Sequence, residues 1–158
     1  MTYGVLHDQV TARVCIEYFT VAHPEIVPTT DPTILGLVWG VIATWWVGAG
    51  LGVLLVGAAR LGSWPPRHWR ELVRPIGALM LAAGLLAATG GLVSWIFAAT
   101  PGSLFVPANG WPAKRQVRFM AVAVAHNLSY LAGCVGGFVL SGLVLLARKR
   151  SAGAPVAH

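Results

Sequence analysis

Two stretches of the sequence contain side chains that could bind a metal ion. Residues 3–24 read YGVLHDQVTARVCIEYFTVAHP and include His7, Asp8 and Glu17, while His126 stands far along the chain. Imidazole nitrogens and carboxylate oxygens are the ligands that zinc, iron and copper take in proteins. These four residues therefore predict a transition-metal site, although no HxxxH or HxxE spacing supports it. The identity of the metal stays open.

Further polar groups could contact a small ligand at the same place. Ser129 and Tyr130 follow His126 at three- and four-residue steps, so the three side chains share one face of a helix. Gln9 and Arg13 lie beside the predicted metal ligands of the N-terminal segment. We predict ligand contacts from Tyr130, Ser129, Gln9 and Arg13.

The same residues allow two other interpretations. In the first, they form a buried polar network in which Asp8 or Glu17 pairs with Arg13 and anchors the segment. In the second, His126 or Glu17 performs general acid–base catalysis with Tyr130 as a proton donor, because burial tunes such groups for catalysis. The sequence does not choose between them.

The composition identifies the elements that must position these side chains. The chain of 158 residues is 56% hydrophobic and 10% charged, whereas about a quarter of the residues in a soluble domain are charged. Blocks 33–59, 72–99 and 117–147 contain no Asp, Glu or Lys, and each exceeds the roughly 20 residues that a membrane-spanning helix needs. We predict an all-α membrane protein with three transmembrane helices.

Residues 1–32 precede the first span and have an ambiguous local pattern. Polar and apolar residues alternate over 11–18 as in a strand, whereas Leu6, Val10, Val14 and Tyr18 fall four apart as on a helix. A lone strand in lipid would leave its backbone groups unpaired. We therefore predict a short amphipathic helix, or a mixed segment, packed against the outer side of the bundle.

Small and aromatic residues of the first span predict how it packs. Two pairs of glycines stand four residues apart: Gly36 with Gly40, and Gly48 with Gly52. Such pairs allow another helix to approach closely. Trp45 and Trp46 lie deep in the span, so we predict that their indole N–H groups have hydrogen-bond partners inside the bundle.

Basic residues flank the spans, a distribution typical of topology anchors and not of a nucleic-acid-binding surface. Segment 60–74 and Arg148-Lys149-Arg150 together carry seven Lys and Arg, against four on the opposite side. This predicts an outside N-terminus and a cytoplasmic tail, residues 148–158. His126 then lies about 12 Å below Arg118 in the outer leaflet, so the N-terminal segment could cover an outward-facing pocket.

The N-terminal stretch carries a resemblance. Its Tyr3-Gly4, His7-Asp8-Gln9 and Glu17-Tyr18-Phe19-Thr20 resemble a family of uncharacterised bacterial integral membrane proteins that share a Tyr-Gly-x-x-His-Asp/Asn-Gln start and a Glu-Tyr-Phe-Thr continuation. The Ala-Thr-Trp-Trp stretch at 43–46 and the polar residues at 125–130 look similar too. The resemblance implies a bacterial membrane protein with a shared site, without implying an activity.

Three functional hypotheses follow. The first is a protein of the bacterial inner membrane whose outward-facing polar pocket binds a metal ion or a small ligand. The second is a non-catalytic accessory or assembly subunit of a larger membrane complex, or a homo-oligomer, with glycine-rich faces that receive partner helices. The third is an intramembrane enzyme. The bilayer is the expected surrounding in each case.

Overall fold

The computed structural model describes residues 1–100 and 110–153, and within these ranges the chain forms α-helices and no strands. The helices are α1 Thr2–Val14, α2 Glu17–Thr20, α3 Pro32–Ile42, α4 Trp45–Arg60, α5 Trp69–Ala99 and α6 Ala113–Ala152. Three helical stretches are long and apolar enough to cross a membrane: Pro32–Arg60, Trp69–Ala99 and Ala113–Ala152. The predicted all-α membrane fold is confirmed.

The first span is not one continuous helix, contrary to the single block predicted over 33–59. It breaks between α3 and α4, where the Thr44 hydroxyl donates a hydrogen bond to the Gly40 carbonyl. The Tyr130 hydroxyl, from α6, donates to the Ala43 carbonyl at 3.3 Å. Non-helical backbone at membrane depth needs polar partners from the protein itself, and these two hydroxyls supply them.

The other two spans extend beyond their predicted bounds of 72–99 and 117–147. Helix α5 begins at Trp69 because His68 and Glu71 form a capping box, in which the Glu71 carboxylate accepts from the His68 backbone N–H at 2.8 Å. Helix α6 continues to Ala152, so the predicted tail 148–158 starts inside a helix. Its residues 154–158 lie outside the described part of the chain.

Helices α5 and α6 form an antiparallel hairpin, and α4 packs along the second half of α6. Small residues make both contacts close: a side-chain carbon at Gly91 would lie 3.1 Å from the Ala121 carbonyl oxygen, and one at Gly137 would lie 2.7 Å from Leu51. This approach is the packing that small residues allow in membranes. Helix α6 therefore forms the centre of the bundle.

Helix α1 lies antiparallel to α3, alongside the first half of the first span. A carbon added at Gly40 would lie 2.5 Å from Val5 Cα, and one added at Gly36 would lie 3.0 Å from the Asp8 carbonyl oxygen. The pair Gly36 and Gly40 thus allows a close helix approach as predicted, with α1 as the partner. The N-terminal segment is helical over Thr2–Val14 and fits between α3 and α6.

Arg148 lies near the C-terminal end of α6. It is buried there, whereas the sequence predicts that it begins the tail 148–158. Its side chain is fully buried and donates to the carbonyls of Ala58, Trp64 and Pro65 at 2.5, 2.8 and 3.0 Å. The last carbonyls of a helix have no partners within it. Arg148 therefore satisfies the end of α4 and the turn that follows.

Trp45 and Trp46 lie on the exposed side of α4, whereas Gly48 lines an internal cavity beside Thr44. Trp45 and Trp46 are 56% and 60% exposed, and among the described residues neither indole N–H has a hydrogen-bond partner. Gly48 and Gly52 have open space where a side chain would begin. The prediction of internal partners for the tryptophans is wrong, because α4 contacts its neighbours through its other face.

Candidate metal site between α1 and α6

Three of the four predicted metal ligands lie together where α1 packs against α6. His7, Asp8 and His126 each offer a ligand atom, and these atoms lie within 4.8 Å of one another. Two ligands held about 2 Å from a tetrahedral ion are about 3.3 Å apart, and His126 Nε2 already lies 3.1 Å from Asp8 Oδ1. The group needs a movement of about 1.5 Å at most to close around an ion.

Hydrogen bonding fixes which atom of His126 faces the other ligands. Its Nδ1 lies 2.9 Å from the Val122 carbonyl, which can only accept, so Nδ1 carries a proton. In a neutral ring Nε2 is then an acceptor, and it faces the Asp8 carboxylate, a second acceptor. A proton or a cation must lie between them. A metal-bound histidine commonly has this arrangement, since its other ring N–H donates to a backbone carbonyl.

His7 supplies a nitrogen with no partner. Its Nε2 is buried and makes no hydrogen bond to any described residue, and a buried polar atom left unpaired costs about 1–3 kcal/mol. Burial, with a smaller contribution from His126, lowers the pKa of His7 to about 4. The imidazole is therefore neutral at pH 7, and the lone pair of its unprotonated nitrogen can bind a cation.

Aromatic rings enclose the two imidazoles. The His7 and His126 ring centroids are 4.6 Å apart, and Tyr18 packs on His126 at 4.4 Å. Phe19, from the same short helix α2, lies 5.7 Å from His126. His126 and Asp8 are 7% and 5% exposed, so water has little access to their contact and electrostatic interactions there are strong.

A cavity of about 140 Å³ adjoins the three residues on the side of the helix break. Besides His7, Asp8 and His126 themselves, its polar lining comes from Tyr3, Ser129, Tyr130 and Thr44, and its other lining residues are apolar. The Tyr3 hydroxyl and Ser129 Oγ are hydrogen-bonded at 2.7 Å. Ser129 and Tyr130, two of the predicted ligand-binding residues, therefore lie beside the cluster, and Tyr130 also holds the Ala43 carbonyl.

Glu17 is separate from this group, unlike the predicted fourth metal ligand. Its carboxylate pairs with Arg115 at 3.0 Å and lies 3.4 Å from the thiol of Cys15. The short turn between α1 and α2 directs Glu17 toward the beginning of α6. The carboxylate joins the N-terminal segment to α6 and is not among the clustered ligands.

Gln9 and Arg13 also differ from their predicted role. The Gln9 amide donates to the Thr33 carbonyl at 2.9 Å, and Arg13 donates to Gln9 Oε1 and to Thr33 Oγ1, both at 2.8 Å. Neither residue lines the cavity. They fasten the end of α1 to the first turn of α3. The pairing of Arg13 with Asp8 or Glu17, expected for a purely structural network, is absent from the hydrogen bonds of the described residues.

Tyr3 and Tyr18 are the site residues that the sequence interpretation left out. Tyr3 stacks on His7 with ring centroids 5.9 Å apart, and Tyr18 packs on His126. A signal existed, because both tyrosines belong to the N-terminal motif and Tyr3 precedes His7 by one helical turn. Tyr18 was assigned to an apolar stripe, which concealed its contact with the histidine.

Comparison of the chain with protein-family models, with curated proteins and with solved structures finds no match.

Proposed function

We propose that this chain is an integral membrane protein that binds one transition-metal ion through His7, Asp8 and His126. The observation that carries the proposal is the contact between two acceptors, His126 Nε2 and Asp8 Oδ1, beside the unpartnered Nε2 of His7. A cation with three ligands there would satisfy all three atoms at once. Two imidazoles and a carboxylate suit zinc or ferrous iron.

The adjoining cavity supports a site that does more than stabilise the fold. Structural zinc sites have four protein ligands, whereas functional sites keep a position open for water or another molecule. Three ligands come from the protein here, and the cavity of about 140 Å³ has room for a small additional ligand. The Tyr3 and Ser129 hydroxyls would orient it.

The charge distribution and the N-terminal resemblance support a location in the bacterial inner membrane. We propose an outside N-terminus and a cytoplasmic C-terminus, since the seven basic residues near the Arg148 end outnumber the four near the His126 end. The metal site would then lie in the outer leaflet and would receive its ion from outside the cell.

Metal analysis of the purified protein tests the proposal. The detergent-solubilised chain, incubated with Zn²⁺ or Fe²⁺ and freed of excess ion, should retain about one equivalent. His7→Ala and His126→Ala should retain less than a tenth of that. His68→Asn is the matched control, because it removes an exposed histidine and keeps a residue suited to the N-cap of α5. A folded wild type without metal would refute the proposal, as would retention by both alanine variants.

A second candidate, a subunit of a larger complex or homo-oligomer, is favoured by the uncovered face of α4. Gly52 has open space where a side chain would begin, and the indoles of Trp45 and Trp46 on the same helix are exposed. Mild cross-linking in membranes should trap a second chain in the wild type and not in Gly52→Leu. Gly77→Leu, at another glycine with open space, should leave cross-linking unchanged. Equal yields from all three proteins would reject this candidate.

A further inference from the structure

The cavity beside the proposed metal site extends along α6, away from the metal ligands. Its lining on that helix begins at His126 and ends at Gly133, and these residues lie about 10 Å apart along the helix axis at about 1.5 Å per residue. Helix α6 runs inward from Arg118 under the proposed topology, so Gly133 lies deeper in the membrane than His126. The cavity therefore has an outer end at the metal ligands and an inner end at Gly133.

The two ends of the cavity differ in chemistry. At the outer end, beside the metal ligands, the hydroxyls of Tyr3 and Ser129 are hydrogen-bonded at 2.7 Å. One proton of this pair is used in that hydrogen bond, so the other hydroxyl can donate its proton to a ligand. At the inner end the lining includes Leu51 and Leu79, which pack over the glycines that follow Gly133 on α6. The cavity is therefore polar at its outer end and apolar at its inner end.

The charge of the proposed site indicates which ligands its open position favours. Two neutral imidazoles and one carboxylate leave one positive charge of a divalent ion uncompensated. Among the described residues no second carboxylate joins the group of clustered ligands, and the Glu17 carboxylate is paired with Arg115. A charge held away from water is costly unless an opposite charge accompanies it. The open position therefore favours a monoanion over a neutral ligand.

The volume of the cavity limits the size of that anion. The cavity measures about 140 Å³, and an apolar protein cavity of about 150 Å³ holds benzene, so a ligand of about six non-hydrogen atoms fits. Hydroxide alone would leave most of the space empty, since a water molecule occupies about 30 Å³ in the liquid. A short-chain carboxylate such as butyrate has the required size, with its charge at one end and hydrocarbon at the other.

We propose that the open position of the metal site binds the carboxylate of a short-chain monocarboxylic acid, whose hydrocarbon chain extends toward Gly133. This inference rests on the proposed metal binding, because the ion supplies the charge that selects an anion. The carboxylate lies beside the hydroxyls of Tyr3 and Ser129, and the chain contacts the apolar inner end. The orientation suits the membrane, because the charged group lies nearer the outer surface and the hydrocarbon points toward the bilayer centre.

Calorimetric titration of the Zn²⁺-loaded full chain with sodium butyrate tests the proposal, with zinc measured on the same detergent-solubilised sample. We expect one bound butyrate in the wild type. Butyramide, which has nearly the same shape without the charge, should bind at least tenfold more weakly. Acetate, which lacks two methylene groups, should bind about tenfold more weakly. These three ligands are compared on the wild type, so the comparison requires no variant to fold.

A variant at the inner end tests where the hydrocarbon chain lies. A side chain at Gly133 would enter open space that belongs to the cavity. Gly133→Leu should therefore retain zinc and bind butyrate at least tenfold more weakly than the wild type. Gly142→Leu is the matched control, because this glycine of α6 also has open space and is not part of the cavity lining. It should bind butyrate as the wild type does.

The zinc content separates failure of this inference from failure of the proposed function. A zinc-loaded wild type that does not bind butyrate, or binds butyramide or acetate as tightly, would overturn the inference and leave the metal site standing. Unchanged butyrate affinity in Gly133→Leu would overturn it as well. A folded wild type that retains no zinc would refute the proposed function, and this inference with it.

Discussion

Helix α6 buries Arg148 near its C-terminal end and His126 in its first half, and the two side chains differ in how completely their polar atoms are hydrogen-bonded. At one end Arg148 donates from each of its three guanidinium nitrogens to a backbone carbonyl. In the first half of the helix, His126 Nε2 lies 3.1 Å from Asp8 Oδ1, and the buried Nε2 of His7 makes no hydrogen bond to any described residue. The hydrogen bonds of Arg148 use all three of its nitrogens, whereas the histidine cluster has ligand atoms in reserve.

This difference supports a structural role for Arg148 and the proposed binding role for the histidine cluster. Buried polar groups in folded proteins are nearly always hydrogen-bonded, so an exception asks for an explanation such as an ion. Arg148 needs no further group and fixes the end of α4. The His7 cluster is enclosed by aromatic rings and held by glycine contacts, yet its own polar atoms are not matched. The packing around the cluster is therefore well defined, whereas its ligand atoms have few partners among the described residues.

The largest expected effect on stability comes from replacing Arg148. Arg148→Met should lower the free energy of unfolding by about 3 kcal/mol, because the buried Ala58 carbonyl and the part-buried carbonyls of Trp64 and Pro65 lose their donor, at about 1–3 kcal/mol for a buried group left unpaired. Unfolding in detergent by titration with sodium dodecyl sulfate measures it. Arg150→Met, at an exposed position of the same helix, should change stability by about 0.5 kcal/mol at most. If Arg148→Met and Arg150→Met lowered stability equally, the proposed structural role of Arg148 would be wrong.

Asp8→Asn, in the histidine cluster, should change metal affinity much more than stability. The amide can donate to His126 Nε2, so the metal-free protein should keep its stability within about 1 kcal/mol. Metal affinity should fall about 100-fold or more, since a neutral amide replaces a carboxylate ligand. Calorimetric titration with Zn²⁺ beside the unfolding curve gives both numbers. A large loss of stability with unchanged affinity would assign Asp8 to the fold alone.

Gly40→Ala tests whether the glycine contact holds α1 in place. The added methyl meets the backbone of Val5 at 2.5 Å, and such overpacking costs about 1–3 kcal/mol. Metal binding should weaken together with stability, because His7 and Asp8 move with α1. Gly50→Ala, where the side chain would enter open space, is the control. Unchanged binding in Gly40→Ala would show that the site tolerates displacement of α1.

The smallest effect should come from Tyr3→Phe. It removes the hydrogen bond to Ser129 and leaves the ring on His7, at a cost of about 0.5–1.5 kcal/mol. Metal stoichiometry should stay at the wild-type value, because the hydroxyl is not one of the clustered ligands. A changed stoichiometry would extend the set of ligands to Tyr3.

Much of the fold can be predicted from the sequence because membrane spans need long apolar blocks, and three such blocks are present. The break at Ala43-Thr44 cannot be predicted from the sequence. The Ala43 carbonyl there accepts from the hydroxyl of Tyr130, which the fold brings from a distant position. The proximity of the N-terminal segment to His126 follows from the number of spans, because the segment before the first span and the beginning of the third lie on the same side. The separation of Glu17 from the other predicted metal ligands could not be predicted, because it depends on the turn at Cys15, which directs the Glu17 carboxylate to Arg115.

The glycines show the same limit in another way. The spacing of Gly36 with Gly40 and of Gly48 with Gly52 is identical, and it predicts a close approach at both pairs. Within the described residues the first pair receives α1, which begins beside Thr44 and covers α3, and no helix approaches the second pair within contact distance. Spacing identifies a face that can be packed, and the rest of the chain determines whether a helix covers it.

The contact between Asp8 and His126 joins residues 118 positions apart, and this separation sets the order of events during synthesis. A ribosome that adds about 5–20 residues per second needs about 6 to 24 s to proceed from one ligand to the other. Through that interval α1 has no α6 to pack against. The proposed metal site is therefore complete only after the last span has been synthesised, and an ion bound through all three residues would mark a chain whose helices have come together.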